Sequence, residues 1–156
     1  MSANTASRQP SRERVATLLE AVLVPGTLKA VYPYLVADPS GLVPFICVSS
    51  DATLRSQYTK GTVKNRAHFR LLVLHFLLAP DIASGWTEQN VEDHLDDVDR
   101  QVANVISDNR GKANDPTLPW NYLSLTEDYS QIFPLSIGGV KYWVEKRSVI
   151  VEVIDP

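Results

Sequence analysis

Residues 66–80, RAHFRLLVLHFLLAP, decide the fold. In the first half, Arg66, His68 and Arg70 alternate with Ala67, Phe69 and Leu71, which is the two-residue period of a half-buried strand. Leucine is also a good helix former, but a helix does not account for that alternation. From Leu71 onward both faces turn apolar, as in a strand covered on two sides. Fully extended, residues 65–79 span about 50 Å, longer than most strands and long enough to reach beyond their own domain.

His68 and His75 invite a metal reading, and geometry argues against it. Seven residues apart, they face opposite sides of a strand. In a helix they share a face but stand roughly 10 Å apart along the axis. Neither spacing brings both rings to about 2 Å from one ion. His94 is expected on the outer, acidic part of a later helix, so no metal site is expected. The apolar run Leu71–Ala79 is also far short of the ~20 residues a membrane helix needs.

Upstream, PFICVSSDATLR reads as a strand with Phe45, Cys47 and Ser49 on one side and Ile46 and Val48 on the other. The polar stretch around Thr59-Lys60-Gly61 turns it back into residues 66–80, giving a long antiparallel hairpin. TLKAVYPYLV before it is an edge or broken strand because of Pro33. A first helix is expected at about 12–24, with Ser11 as N-cap, an apolar stripe of Val15, Leu18, Leu19, Val22 and Leu23, and Pro25-Gly26 as its stop. Residues 1–10 are expected to be a flexible N-terminus, and residues 11–156 a single domain.

Downstream lies the clearest element. Thr87 is a good N-cap, Glu88 suits the first turn, and Val91, Leu95, Val98, Val102 and Val105 recur at helical spacing up to Asn109-Arg110-Gly111. WNYLSLTEDY, PLSIGGVKYWVEK and SVIVEV then alternate as strands, with turns at Pro134 and Gly138-Gly139. The order helix, strands, helix, strands predicts an α+β domain: an antiparallel or mixed sheet with a long hairpin, packed by two helices.

At 156 residues the chain is the size of one domain, and its net charge of −3 gives no global sign of nucleic-acid binding. Cys47 is the only cysteine, so no internal disulfide forms. Its apolar setting marks it as a small buried hydrophobe. With no apolar stretch near the N-terminus, a secretory leader is not expected, and the chain reads as cytosolic.

Charge is nonetheless segregated. The hairpin carries Arg55, Lys60, Lys64, Arg66 and Arg70 with no acid between Asp51 and Asp81. The second helix carries Glu88, Glu92, Asp93, Asp96, Asp97 and Asp99 before its first base, Arg100. A basic hairpin on one subunit meeting an acidic helix on the next is a head-to-tail contact of the kind that closes into rings. Arg55, Lys60, Lys64, Arg66, Arg70, Glu92, Asp96 and Asp99 are therefore the candidate interface residues. Scattered surface charge, or pairing within one copy, accounts for the same pattern, and two other functional readings compete. In one, the basic hairpin neutralises DNA phosphates, as in a head–tail connector or stopper. In the other, the helix carboxylates serve a small metal-dependent hydrolase or nuclease. Against the latter, no D/E-x-K triplet, GxSxG, HExxH, Walker A or GxGxxG occurs, so no catalytic residue and no cofactor is assigned.

Taken in order, LLEAVL, KAVYPYL, PFICVSS, the hairpin into FRLLVLHF, WTEQNVEDHLDDVDRQVANVI and WNYLSL…KYWVEKRSVIVEV resemble the tail terminator (tail-completion) proteins of long-tailed phages, over roughly residues 12–154. The resemblance implies a non-enzymatic hexameric ring at the head-proximal end of the virion tail. Such a ring caps the major tail tube protein, ends tube growth and offers a surface to head-completion proteins. DNA passes through its lumen without sequence recognition, and no membrane is involved.

Overall fold

Among the described residues the helix-forming and strand-forming periods resolve into eight elements. The computed structural model describes residues 6–37, 43–57, 65–79 and 87–154. They are α1 (Arg8–Leu23), β1 (Ala30–Tyr32), β2 (Phe45–Gln57), β3 (Asn65–Leu78), α2 (Glu88–Asp108), β4 (Tyr122–Leu125), β5 (Gln131–Ile137) and β6 (Val140–Ile154). The sheet runs β1-β2-β3-β6-β4, with β5 also paired to β6. β1 lies parallel to β2, and every other pair is antiparallel. This is the expected α+β class, with a mixed six-stranded sheet.

Local chemistry explains the ends of the elements. Thr87 caps α2 in a full capping box: its hydroxyl accepts from the Asn90 backbone, and the Asn90 side chain accepts in return from the Thr87 backbone. Gly138 and Gly139 have φ of 56° and 82°, the left-handed values that a two-residue turn between β5 and β6 demands. Pro33 follows β1 directly, and Pro134, expected to mark a turn, lies inside β5. α1 begins earlier than expected. Its N-cap is Ser7, not Ser11, so residues 8–10 form its first turn instead of a loose terminus. Pro10 is tolerated there because first-turn N–H groups have no intrahelical partner. Ser11 is buried within the helix.

Both helices cover one face of the sheet. Val15, Leu19 and Leu23 of α1 and Val98, Val102, Val105 and Ile106 of α2 pack on Ile46, Val48, Phe69, Leu71, Val73, Val149 and Val151. Trp120 closes this core, with its Nε1 donating to the Asn109 carbonyl at 2.9 Å. Leu77 extends it toward the start of α2, meeting Val91, Leu95 and Trp143.

The apolar half of β3 is covered on its second face as well, by the chain's own curl. Phe45, Cys47, Leu74, Phe76, Tyr142 and Val144 form a second core beneath Tyr32, Val36, Val43, Phe133 and Ile137. Phe45 stacks on Phe76 at 4.7 Å between centroids, with Tyr142 edge-on to both. Cys47 is fully buried here, and burial raises its thiol pKa, so it is an inert packing group. The hairpin is not a free arm over its described length, because β6 follows β3 as far as the Arg66–Ile154 pair.

Candidate functional site

The predicted interface residues fall at two ends of the molecule. Arg66, His68 and Arg70 lie on the open sheet face, opposite the helices. His68 Nε2 stands 2.7 Å from Glu152 Oε2, and Arg66 is 4.0 Å from the same oxygen. Arg70 donates from Nε to Asp51 Oδ2 at 2.6 Å, an acid brought into reach by a register shift between Ser50 and Ala52. Arg55 turns the other way, lying over the Phe69 ring and donating to the Ala6 carbonyl. Lys60 and Lys64 lie outside the described residues.

At the other end, Glu92 and Asp96 are exposed on α2, with Glu88 and Asp93 beside them. Among the described residues none of these four carboxylates has a cationic partner. Glu88, Glu92 and Asp96 follow one another at four-residue spacing, a like-charge row that costs helix stability. Asp99 is different: its Oδ1 accepts from the buried Arg147 at 2.6 Å, so it anchors the fold rather than awaiting a neighbour.

Arg147 leads into a buried polar cluster between α2 and the sheet. Because β6 alternates, Trp143, Glu145, Arg147, Val149 and Val151 share the helix-covered face, and β3 places His75 opposite Glu145. Glu145 Oε2 accepts from Ser130 at 2.7 Å. Its Oε1 stands 2.9 Å from Arg147 Nη2 but off the hydrogen-bonding line, so this is a charge contact with no aligned bond. His75, 1% exposed, meets His94 of α2 with 3.0 Å between their Nε2 atoms. His94 is thus not on the outer acidic face, as its sequence neighbours suggest. It stands three residues after Val91 and four before Val98, on the flank of the buried stripe.

The histidine pair is built for a proton. His75 Nδ1 is buried without a hydrogen-bond partner, so its proton belongs on Nε2, donated to His94 Nε2. A metal ion between the two Nε2 atoms would force that proton onto Nδ1, leaving a buried donor with no acceptor. The Arg147 cation nearby further opposes added positive charge. Among the described residues no third His, Cys, Asp or Glu completes a site.

Burial holds the His75 pKa well below the ordinary histidine value, and His94 and Arg147 push it the same way. Burial also lowers His94, with Asp97 opposing. Both groups therefore bind fewer protons folded than unfolded below about pH 6.5. Stability is then full above that value and is lost as pH falls from it toward the folded-state values. Urea unfolding between pH 7 and pH 5 should show a slope of up to about 1.4 kcal/mol per pH unit from His75 alone. His75→Gln should flatten the slope, and an unchanged slope would show that the acid sensitivity lies elsewhere.

Two concavities merit a catalytic reading. The larger, about 700 Å³, flanks β4 and is lined by His68, Glu152, Tyr122, Ser124 and Arg110 among others. Its hydroxyls on the His68 face include Tyr122, paired with Glu152, and Ser124, paired with Ile150, both on β4 with β6 between them and His68. Two strand spacings, about 10 Å, separate Ser124 from His68, too far for a nucleophile and its base. The smaller is a groove of about 340 Å³ lined by Val91, Leu95, Ile132 and Trp143, with Glu88 and Glu92 at its rim. It is apolar with an acidic edge, and its two carboxylates belong to one helix.

No family model matches the chain. No curated protein does either. Among the described residues no helix is long and apolar enough to cross a membrane. Sequence reasoning missed His94, Ser130, Glu145 and Arg147 as a cluster. The parity of residues 143–151 and the position of His94 on the valine stripe were the available signals.

Proposed function

We propose that this chain is a structural, non-enzymatic ring subunit: a phage tail terminator that caps the tail tube, ends its growth and carries the joining surface for the head. One observation carries the reading. Among the described residues the α2 carboxylates without a cationic partner, Glu88, Glu92, Asp93 and Asp96, stand near one end of β3, while the bases Arg55 and Arg66 lie near the other. About 40 Å of extended strand separates the two ends, so a single copy does not neutralise its own charge across that distance. Copies arranged head to tail do, and a repeated heterologous contact closes into a ring or runs on as a filament. The resemblance of the sequence to tail terminators favours the ring. Partners on this reading are further copies of the chain, the tail tube and a head-completion protein, in the virion.

Native mass spectrometry should find a closed oligomer, alone or once tail tubes are supplied, with tubes of fixed length in its presence. A chain that stays monomeric at high concentration, and on tail tubes too, overturns the proposal. The bases Arg66 and Arg70 already face acids of their own chain, which disfavours a DNA-contacting connector. Salt-dependent DNA binding by the isolated protein is the result that would reinstate it.

A further inference from the structure

We infer that the groove between the first half of α2 and β5–β6 is the seat for the β2–β3 end of a second copy. This rests on the ring reading and specifies which surfaces meet. The groove's floor and walls are Val91, Leu95 and Trp143, and Ile132, 51% exposed on β5, stands at its open side. Glu88 and Glu92 form the rim, continued along α2 by Asp96. An occupant must therefore be apolar at its centre and basic at its edges.

The longest acid-free stretch of the chain supplies the bases. Residues 52–80 contain five bases and no acid. Leu54, 61% exposed on β2, lies at the end where β2 and β3 approach the segment carrying Lys60 and Lys64. That end pairs with the C-terminal part of β6, through Arg66–Ile154. The groove sits at the opposite end, beside the Leu77–Trp143 pair. Within one copy the two cannot meet, so the occupant comes from a neighbour. The contact uses different surfaces on its two sides, as a ring requires.

Three variants test this by native mass spectrometry across a dilution series. Ile132→Asp adds a charge at an exposed position, and unchanged circular dichroism and melting temperature establish that it folds. Glu92→Lys reverses the rim, and the double variant Lys60→Glu/Lys64→Glu reverses the occupant. Each should raise the concentration at which the ring dissociates by about tenfold or more, and combining the two reversals should recover most of that loss. A wild-type ring that all three variants leave intact overturns the groove contact while the ring reading stands. Loss of the ring with no rescue by the combined reversals shows that another part of the neighbour fills the groove, and overturns the inference as stated. A wild-type chain that never assembles removes both.

Discussion

Arg147→Met is expected to lower the unfolding free energy by about 3–5 kcal/mol at neutral pH, the cost of leaving a buried ion without its partner. Glu145 is 4% exposed and, among the described residues, takes its polar contacts from the Ser130 hydroxyl and the Arg147 guanidinium. With Arg147 gone, a carboxylate remains buried under α2 with one neutral donor. The Asp99 bond contributes less, because the Asp99 side chain is largely exposed and water readily replaces the guanidinium there. The companion variant decides the interpretation. Glu145→Leu/Arg147→Met removes both ions and should recover most of the loss, since paired burial of charge is seldom better than a packed apolar pair. Urea denaturation of the two variants measures this. An Arg147→Met protein as stable as the parent would mean that Glu145 is not held as an ion between α2 and the sheet.

Phe76→Ala is expected to cost a similar amount, about 3–5 kcal/mol, by opening a cavity in the second core. Phe76 is 2% exposed, stacked on Phe45 and met edge-on by Tyr142. The ring is held between two faces of one curled sheet, so few side chains are free to collapse into its space. Leu54→Ala, on the same face of the sheet but in solvent, should change stability by less than about 0.5 kcal/mol. Thermal and urea unfolding of the pair gives a direct contrast. A Phe76→Ala loss below about 1 kcal/mol would show that the cover provided by β5 and the residues around Val36 and Val43 is not a packed core.

Most of the fold could be read from periodicity. The alternation of Arg66, His68 and Arg70 gave the strand and its faces, and Val91 to Val105 gave the helix and its buried stripe. What stayed hidden depended on tertiary placement. Ser7 caps α1 because a first-turn proline is permitted, whereas Pro10 read as the end of a loose segment. His94 was judged by its acidic neighbours in the chain, though its helical position put it beside Val91 and Val98. Glu145 and Arg147 carry charge in an alternating strand, the local pattern of a wet face. They share the side of Val149 and Val151, and only α2 above them shows that side to be buried. Of the candidate interface residues, Glu92 and Asp96 remain open, while Arg66, Arg70 and Asp99 have partners within the chain. Those partners come from strand register, a bulge and the packing of α2 on the sheet, which no local pattern encodes.

The two prolines at the margins of the sheet bear on what those margins can join. β1 is three residues long and gives way at once to Pro33, and β5 offers no N–H at Pro134 in its middle. Margins this short or interrupted are poor templates for strand addition, the route by which exposed sheets join indiscriminately into larger ones. A neighbour meeting those two strands is denied the generic grip of backbone on backbone and must recognise them by side-chain shape and charge, which a point mutation can rewrite.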